Sequence, residues 1–329
     1  MAKAEHLKRK NIELIREKMQ IYGRMTKPEL ANSTGLSLMT VNTVVAKLCE
    51  SGELIEQGHA PSSGGRPSAL YKYNYDYKHI ALVIAYQDGQ KNQILYQIAD
   101  LSGKVIQSFH RTVEKVNTKS FCESLDKLFK SDSKIVFLAF GLPGEAVDGV
   151  ITVCDYESLI GDKFISFYES RYKIPVLVEN DINAATYGYT SYRSGKQTVV
   201  GLFFPRGYPP GVGLAINGML HREVNSYAGE VKYLMPEINW AEIDYEKKER
   251  LLSVISQIVL TYAVVIAPEQ FVFFADFLAE KDLEEMKATV FEMTEQKYEP
   301  VFILSEALEE DYTKGLISIG LEFINKEVL

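Results

Sequence analysis

Short apolar runs alternate with amphipathic stretches through most of this chain, and that alternation restricts the fold more than any other feature. "KIVFLAF" (134–140) and "VLVEN" (176–180) have the length of buried strands, while "FCESLDKLFK" (121–130) and "NAATYGYTSYRS" (183–194) have helical spacing. "TVVGLFF" (198–204), the long helical run 246–266 and "QFVFF" (270–274) repeat the pattern. Strands separated by helices predict an α/β body. Ahead of them, "HIALVIAY", "NQILYQIAD" and "KVIQSFHRT" follow one another across the turn signals Asp88-Gly89 and Ser102-Gly103, predicting three antiparallel strands. The body therefore reads as two related α/β lobes with a cleft between them as the default ligand site, and 314–329 as a closing helix.

An apolar content of 46% excludes a mainly disordered chain. No run approaches the ~18 consecutive apolar residues of a membrane span, and "MAKAEHLKRKN" has no apolar segment behind it, so the expected address is cytoplasmic. Cys49, Cys122 and Cys154 are far apart and read as free thiols, with no metal site. Charge is uneven. Residues 1–75 carry 11 Lys and Arg against 7 Glu and no Asp, a net of +4, while the other residues carry 25 against 37, a net of −12. Only the first segment is suited to a polyanion, since Lys and Arg neutralising phosphate supply most non-specific nucleic-acid affinity.

That segment has its own plan. Ile12, Ile15 and Met19 recur at helical spacing; Thr26 with Glu29 forms a capping box; Gly35 permits a tight turn; and Ser37 caps a third helix with Val41, Val44, Val45 and Leu48 on one stripe. Two short helices about a tight turn predict a helix-turn-helix, with Ser37, Met39, Thr40, Asn42, Thr43 and Lys47 on its DNA side. Thr40, Asn42 and Thr43 are candidates for base edges and Lys47 for phosphate. "ELIEQ" and "ALYKYNY" flank a polar tip, making a wing, in which Arg66 between Gly65 and Pro67 suits a narrow minor groove. A small helical domain for protein contacts is the competing reading.

Three stretches in the body bring polar groups to strand ends. "GLPGEAVDG" carries Gly141 and Gly144, which permit close backbone approach; "ENDINAA" carries Asn180 and Asp181; "SYAGE" carries Glu230. Carboxylates and an amide beside bare backbone suit a polyhydroxylated ligand. Asp181 fits a general base and equally a helix cap.

In this order behind the first segment, "GGRPSALYKYN", "GLPGEAVDG", "IPVLVENDINAA" and "GYPPGVGLAINGMLHREVNSYAGE" make the chain resemble the ROK family of bacterial sugar-responsive repressors and sugar kinases over nearly its full length. The resemblance implies a two-lobed actin-like, ribonuclease-H-like fold, dimeric or tetrameric, with Asn180, Asp181, Glu230, Gly141 and Gly144 on the sugar side and Asp181 where the family's kinases keep their base. Three departures point away from nucleotide binding. "DGQKN" replaces a D-x-G-G-T-like loop; Pro209 and Pro210 replace the leading Gly-Thr of the second phosphate loop, and proline lacks an N–H; "QFVFF" runs into "ADF" where the family has a glycine triplet. Lys232-Tyr233 stands where the family has the Gly-His of a zinc site, so Tyr233 is the expected sugar contact there and no metal is expected.

The expectation is a winged helix-turn-helix over 1–75 and a sensor over 78–329. The sensor would bind a neutral sugar, without catalysis or cofactor, and release a palindromic double-stranded operator held by a homodimer or homotetramer. Control by a protein partner over a vestigial pocket, and an active sugar kinase, are the alternatives.

Overall fold

A computed structural model describes residues 2–61, 67–222, 229–245 and 247–327 of the 329. The chain opens with α1 (Ala2–Tyr22), β1 (Arg24–Thr26), α2 (Lys27–Thr34), α3 (Leu38–Glu50), β2 (Leu54–His59) and β3 (Ala69–Tyr73). The Thr26 hydroxyl accepts the Glu29 N–H and the Glu29 carboxylate accepts the Thr26 N–H at 2.7 Å, so the α2 start satisfies two otherwise orphaned donors. Gly35 ends α2 with φ of 70°, a left-handed conformation that a Cβ resists. Val41, Val44, Val45 and Leu48 of α3 are buried with Ile15, Met19 and Leu30. β1 was not foreseen; it completes an antiparallel sheet ordered β1-β3-β2.

The body continues with β4 (His79–Asp88), β5 (Lys91–Asp100), β6 (Val105–Val113), α4 (Cys122–Ser131), β7 (Ile135–Leu142), β8 (Gly144–Val147), β9 (Val150–Cys154), α5 (Phe164–Tyr172), β10 (Val176–Asn180) and α6 (Asp181–Tyr189). It ends with β11 (Val199–Phe203), β12 (Gly211–Ile216), β13 (Met219–Leu220), α7 (Lys248–Ile266), β14 (Gln270–Phe274), α8 (Glu280–Met293), β15 (Val301–Leu304) and α9 (Leu308–Glu327). Two five-stranded sheets share one plan. In β10-β7-β4-β5-β6, an antiparallel meander (β4, β5, β6) is extended by two parallel strands; in β15-β14-β11-β12-β13 the meander is β11, β12, β13 and the parallel additions are β14 and β15. The α/β expectation and the antiparallel start agree with this architecture.

Helices α6 and α9 pack together between the two sheets. They approach closely because each carries a glycine at the crossing: a Cβ on Gly188 would overlap the Asp311 carbonyl, and one on Gly315 the Ala184 carbonyl. By length and composition α7 is apolar enough to cross a membrane, yet Leu251, Leu252, Ile255, Ile258 and Val259 bury one face in the core of the second lobe, as a core helix does.

The first 73 residues are tied to the body by polar and apolar contacts. Arg16 forms a two-point pair with Glu53, both buried, with 2.7 Å between Nη2 and Oε2. Gln20 donates to Tyr73 Oη at 3.1 Å and to Asn325 of α9 at 3.4 Å, and Tyr75 Oη donates to the Gln20 carbonyl at 2.8 Å. One apolar cluster runs from Ile15 and Tyr73 to Leu101 and Ile324.

Candidate functional site

A cleft of about 170 Å3 opens where the β7–β8 connection, the start of α6 and the loop before β12 converge. β10 ends at Asn180, whose Oδ1 accepts the N–H groups of Ile182 (3.1 Å) and Asn183 (3.5 Å). Asn180 is therefore the cap, and its Nδ2 has no acceptor among the described residues. Asp181 takes the first helical position on the cleft wall and accepts the Ile182 N–H at 2.7 Å. Burial, reinforced by the neighbouring charge of Asp155, pushes its carboxyl up to about 6 against that hydrogen bond. Glu179, two residues earlier, is turned inward and held by Arg222 (3.2 Å) and Asn183 (3.4 Å).

Across the cleft, the Glu230 backbone bridges to Gly211, and its carboxylate lies 2.7 Å from Lys232 Nζ, which this bond holds above the ordinary lysine range. The cleft wall here is Lys232. Tyr233 is 57% exposed and stands outside the wall, with Lys232 Nζ 5.2 Å from its ring centre. Residues 231–233 form one tight 3₁₀ turn, in which successive side chains diverge by about 120°, so the neighbour of the expected residue faces inward.

Glu145 and Asp155, from the β8–β9 hairpin, complete the polar lining. Sequence reasoning singled out neither; burial also raises the Asp155 carboxyl. The hairpin explains Gly144, where a Cβ would overlap the Val153 carbonyl and lie 2.7 Å from Cys154 Cα. Gly141 stands outside the cleft wall. A Cβ there would fall 2.6 Å from Cζ of Tyr312, a buried residue of α9 whose hydroxyl has no partner among the described residues. The close approaches these glycines permit are thus to protein.

Pro205, Tyr208, Pro209 and Pro210 form the remaining rim. In this loop the Gly207 N–H donates to Tyr245 Oη at 3.0 Å and the Tyr208 N–H to the Pro205 carbonyl, so after three prolines only the Arg206 N–H has no acceptor among the described residues. Arg206 itself pairs with Asp276 at 3.1 Å. Phe277, just past β14, packs on Tyr245 at 5.0 Å between centroids and on Phe204 at 6.2 Å. The "DGQKN" stretch is the β4–β5 hairpin turn and does not reach the cleft. Among the described residues, no group of three or more His, Cys, Asp and Glu is placed to hold a metal ion.

On α3, Ser37 caps the helix by accepting the Thr40 N–H at 3.2 Å, and its hydroxyl also meets that of Thr40 at 2.9 Å. The Thr43 hydroxyl donates to the Met39 carbonyl at 3.1 Å. The local helix thus engages three of the hydroxyls expected to face DNA. Met39 is 80% exposed, Asn42 and Lys47 are exposed, and Leu38, which sequence reasoning omitted, is half-exposed. Arg66 lies outside the described residues.

The family model described as "ROK family" matches residues 91–240. The xylose repressor of Bacillus spizizenii is 24% identical over 242 residues, covering 71% of this chain and 62% of the repressor. That of Bacillus subtilis is 23% identical over the same length, with the same coverage. The chain thus spans about three fifths of the length of these relatives. Among solved structures, a ROK family transcriptional regulator described as a homologue of the E. coli MLC protein superposes with a TM-score of 0.66 at 12% identity, covering 96% of this chain and 99% of that one. A ROK hexokinase from Thermus thermophilus gives 0.57 at 14% identity, covering 75% and 99%. At these identities the likeness is one of fold.

Proposed function

We propose, from the premise that this chain carries a ROK family domain and is homologous to xylose repressors, that it is a sugar-responsive transcriptional repressor without kinase activity. Residues 1–75 are read as a winged helix-turn-helix that holds DNA through Met39, Asn42, Lys47 and Arg66, with Ser37, Thr40 and Thr43 shaping the helix start. Residues 78–329 are read as the sensor, in which Asn180, Asp181 and Glu230 bind a neutral monosaccharide.

Two physical points support the ligand class. A single water needs about 10–15 Å3 of such space, so 170 Å3 takes on the order of a dozen heavy atoms, the size of one pentose or hexose. Glu145, Asp155, Asp181 and Glu230 outnumber Lys232, which disfavours an anionic sugar. The observation that carries the loss of catalysis is the loop from Pro205 to Pro210. An anion nest needs several convergent N–H groups, and this loop has one left among the described residues. Release of DNA follows if the sugar prefers the lobe arrangement that misplaces the DNA-binding units, because only differential affinity shifts a population.

The test is a thermal-shift screen of neutral pentoses and hexoses on the full chain, followed by titration of each hit into a complex with duplexes selected from a random-sequence pool. A hit that raises Tm and releases DNA supports the reading; hits that leave DNA bound oppose it. One observation favours a second reading, an active sugar kinase: the Asp181 carboxyl near 6 is in the range of a working base. ATP consumption with the same sugars, lost in Asp181→Asn, would establish it.

A further inference from the structure

A second cavity, of about 460 Å3, lies between the first half of α1, the last turn of α3 and the residues leading into β4. Ile12, Leu48 and the Tyr77 ring make its apolar wall, and Ser51 adds a hydroxyl. Arg16, deep inside, is neutralised by Glu53. The remaining charged lining is Lys8 and Arg9 from α1, Lys47 from α3, Lys78 before β4, and the lone carboxylate of Glu5. None of these four cations forms an ion pair among the described residues; Lys78 only overhangs the Tyr77 ring at 5.6 Å.

Four cations against one acid leave a net of +3 around one concavity, in a chain whose overall charge is −8. Like charges converging on a concave wall repel one another and focus a positive potential inward. A ligand that neutralises them recovers that energy, and a phosphate group does so through several charge-assisted hydrogen bonds at once. The place in the fold selects between sources of phosphate. α3 rises about 1.5 Å per residue, and the cavity meets Lys47, Leu48 and Ser51 at the end opposite its Ser37 cap, away from the helix start that faces bases in a helix-turn-helix.

We propose that this cavity is a second ligand site, separate from the sugar cleft, which takes a small free phosphorylated metabolite through Lys8, Arg9, Lys78 and Lys47, the last in exchange for the DNA phosphate it is read above to hold. Because Lys78 belongs to the body and the other three to the first unit, the bound phosphate clamps one against the other. The site stands independently of the sugar reading.

Inorganic phosphate, pyrophosphate and glucose 6-phosphate, titrated calorimetrically into the full chain at constant ionic strength, test it. The expected result is saturable one-to-one binding of at least one probe, weakened about tenfold or more in both Lys8→Ala/Arg9→Ala and Lys47→Ala/Lys78→Ala, the loss of at least one charge-assisted hydrogen bond. Lys47→Arg/Lys78→Arg is expected to retain binding, and unchanged Tm values show that the variants fold. Absence of saturation with all three probes, or binding indifferent to both double variants, overturns the proposal. Loss of affinity for a random-sequence duplex in the variants, with no probe bound by the parent chain, assigns the cations to DNA backbone instead and overturns it equally.

Discussion

The Tyr312 ring of α9 rests directly against the Cα of Gly141 at the end of β7, where a side chain on residue 141 would lie only 2.6 Å from Cζ. Its hydroxyl is buried without a partner among the described residues, and burial, with the charges of Asp181 and Glu179 nearby, holds that phenol well above its usual range. Gly141→Ala is therefore expected to overpack the contact and cost about 1–3 kcal/mol. Tyr312→Phe removes an unsatisfied group and is expected to be neutral or stabilising. Urea denaturation of both variants checks this; a loss above about 1 kcal/mol in Tyr312→Phe would mean that the hydroxyl has a partner.

Asp181 gives a pH signature. Its carboxyl keeps a proton to about pH 6 in the folded chain, against an ordinary value of 3.8. The folded state then binds more protons than the unfolded one between those values, so stability falls as pH rises through this window, and the deficit persists above it. At 1.36 kcal/mol per unit, reduced by solvent reaching the cleft, the deficit is roughly 1–3 kcal/mol. Asp181→Asn removes it. The variant is expected to match the parent near pH 4 and exceed it above pH 6, and a difference independent of pH would rule out this account.

What could be read in advance follows from where the information is stored. Caps and stripes are local, so Thr26 with Glu29, Ser37, and Val41 to Leu48 were legible and have the roles assigned to them. The α8 stripe Leu283, Met286 and Val290 also has helical spacing, but it lies within a charged segment and was passed over. Long-range proximity leaves no such trace. Nothing in the sequence brings Asp155 to Asp181 or Tyr312 to Gly141; the β8–β9 hairpin and the α9 crossing do so. Gly211 and Gly213, which follow Pro209 and Pro210 in the chain, have a packing reason of their own. A Cβ on Gly213 would lie 2.6 Å from the Ile182 carbonyl, and one on Gly211 3.1 Å from the Ile182 side chain. α6 requires the glycine at 213, and favours the one at 211, whether or not a phosphate ever binds.

Two residues at the start of α3 separate folding from recognition. Ser37→Ala removes the cap and is expected to cost about 0.5–2 kcal/mol, with DNA affinity falling only through that instability. Met39 is 80% exposed, so Met39→Ala is expected to change stability by less than about 0.5 kcal/mol. Its effect should appear in fluorescence anisotropy with selected duplexes. Unchanged affinity in Met39→Ala would remove that residue from the DNA side.

The Arg16–Glu53 pair fastens α1 to the start of β2 beneath the second cavity, with Tyr73 Oη donating to the same carboxylate at 3.2 Å. Both charges are buried, so deleting one strands the other. Glu53→Gln is expected to destabilise by about 3–5 kcal/mol, since an uncompensated buried cation costs more than the pair contributes. Replacing both, as Arg16→Met with Glu53→Leu, removes the desolvation penalty and is expected to recover most of that loss. Denaturant midpoints for the single and double variants decide it. If the double variant were as unstable as the single one, the pair would owe its place to hydrogen bonds with Tyr73 and its surroundings and not to mutual neutralisation.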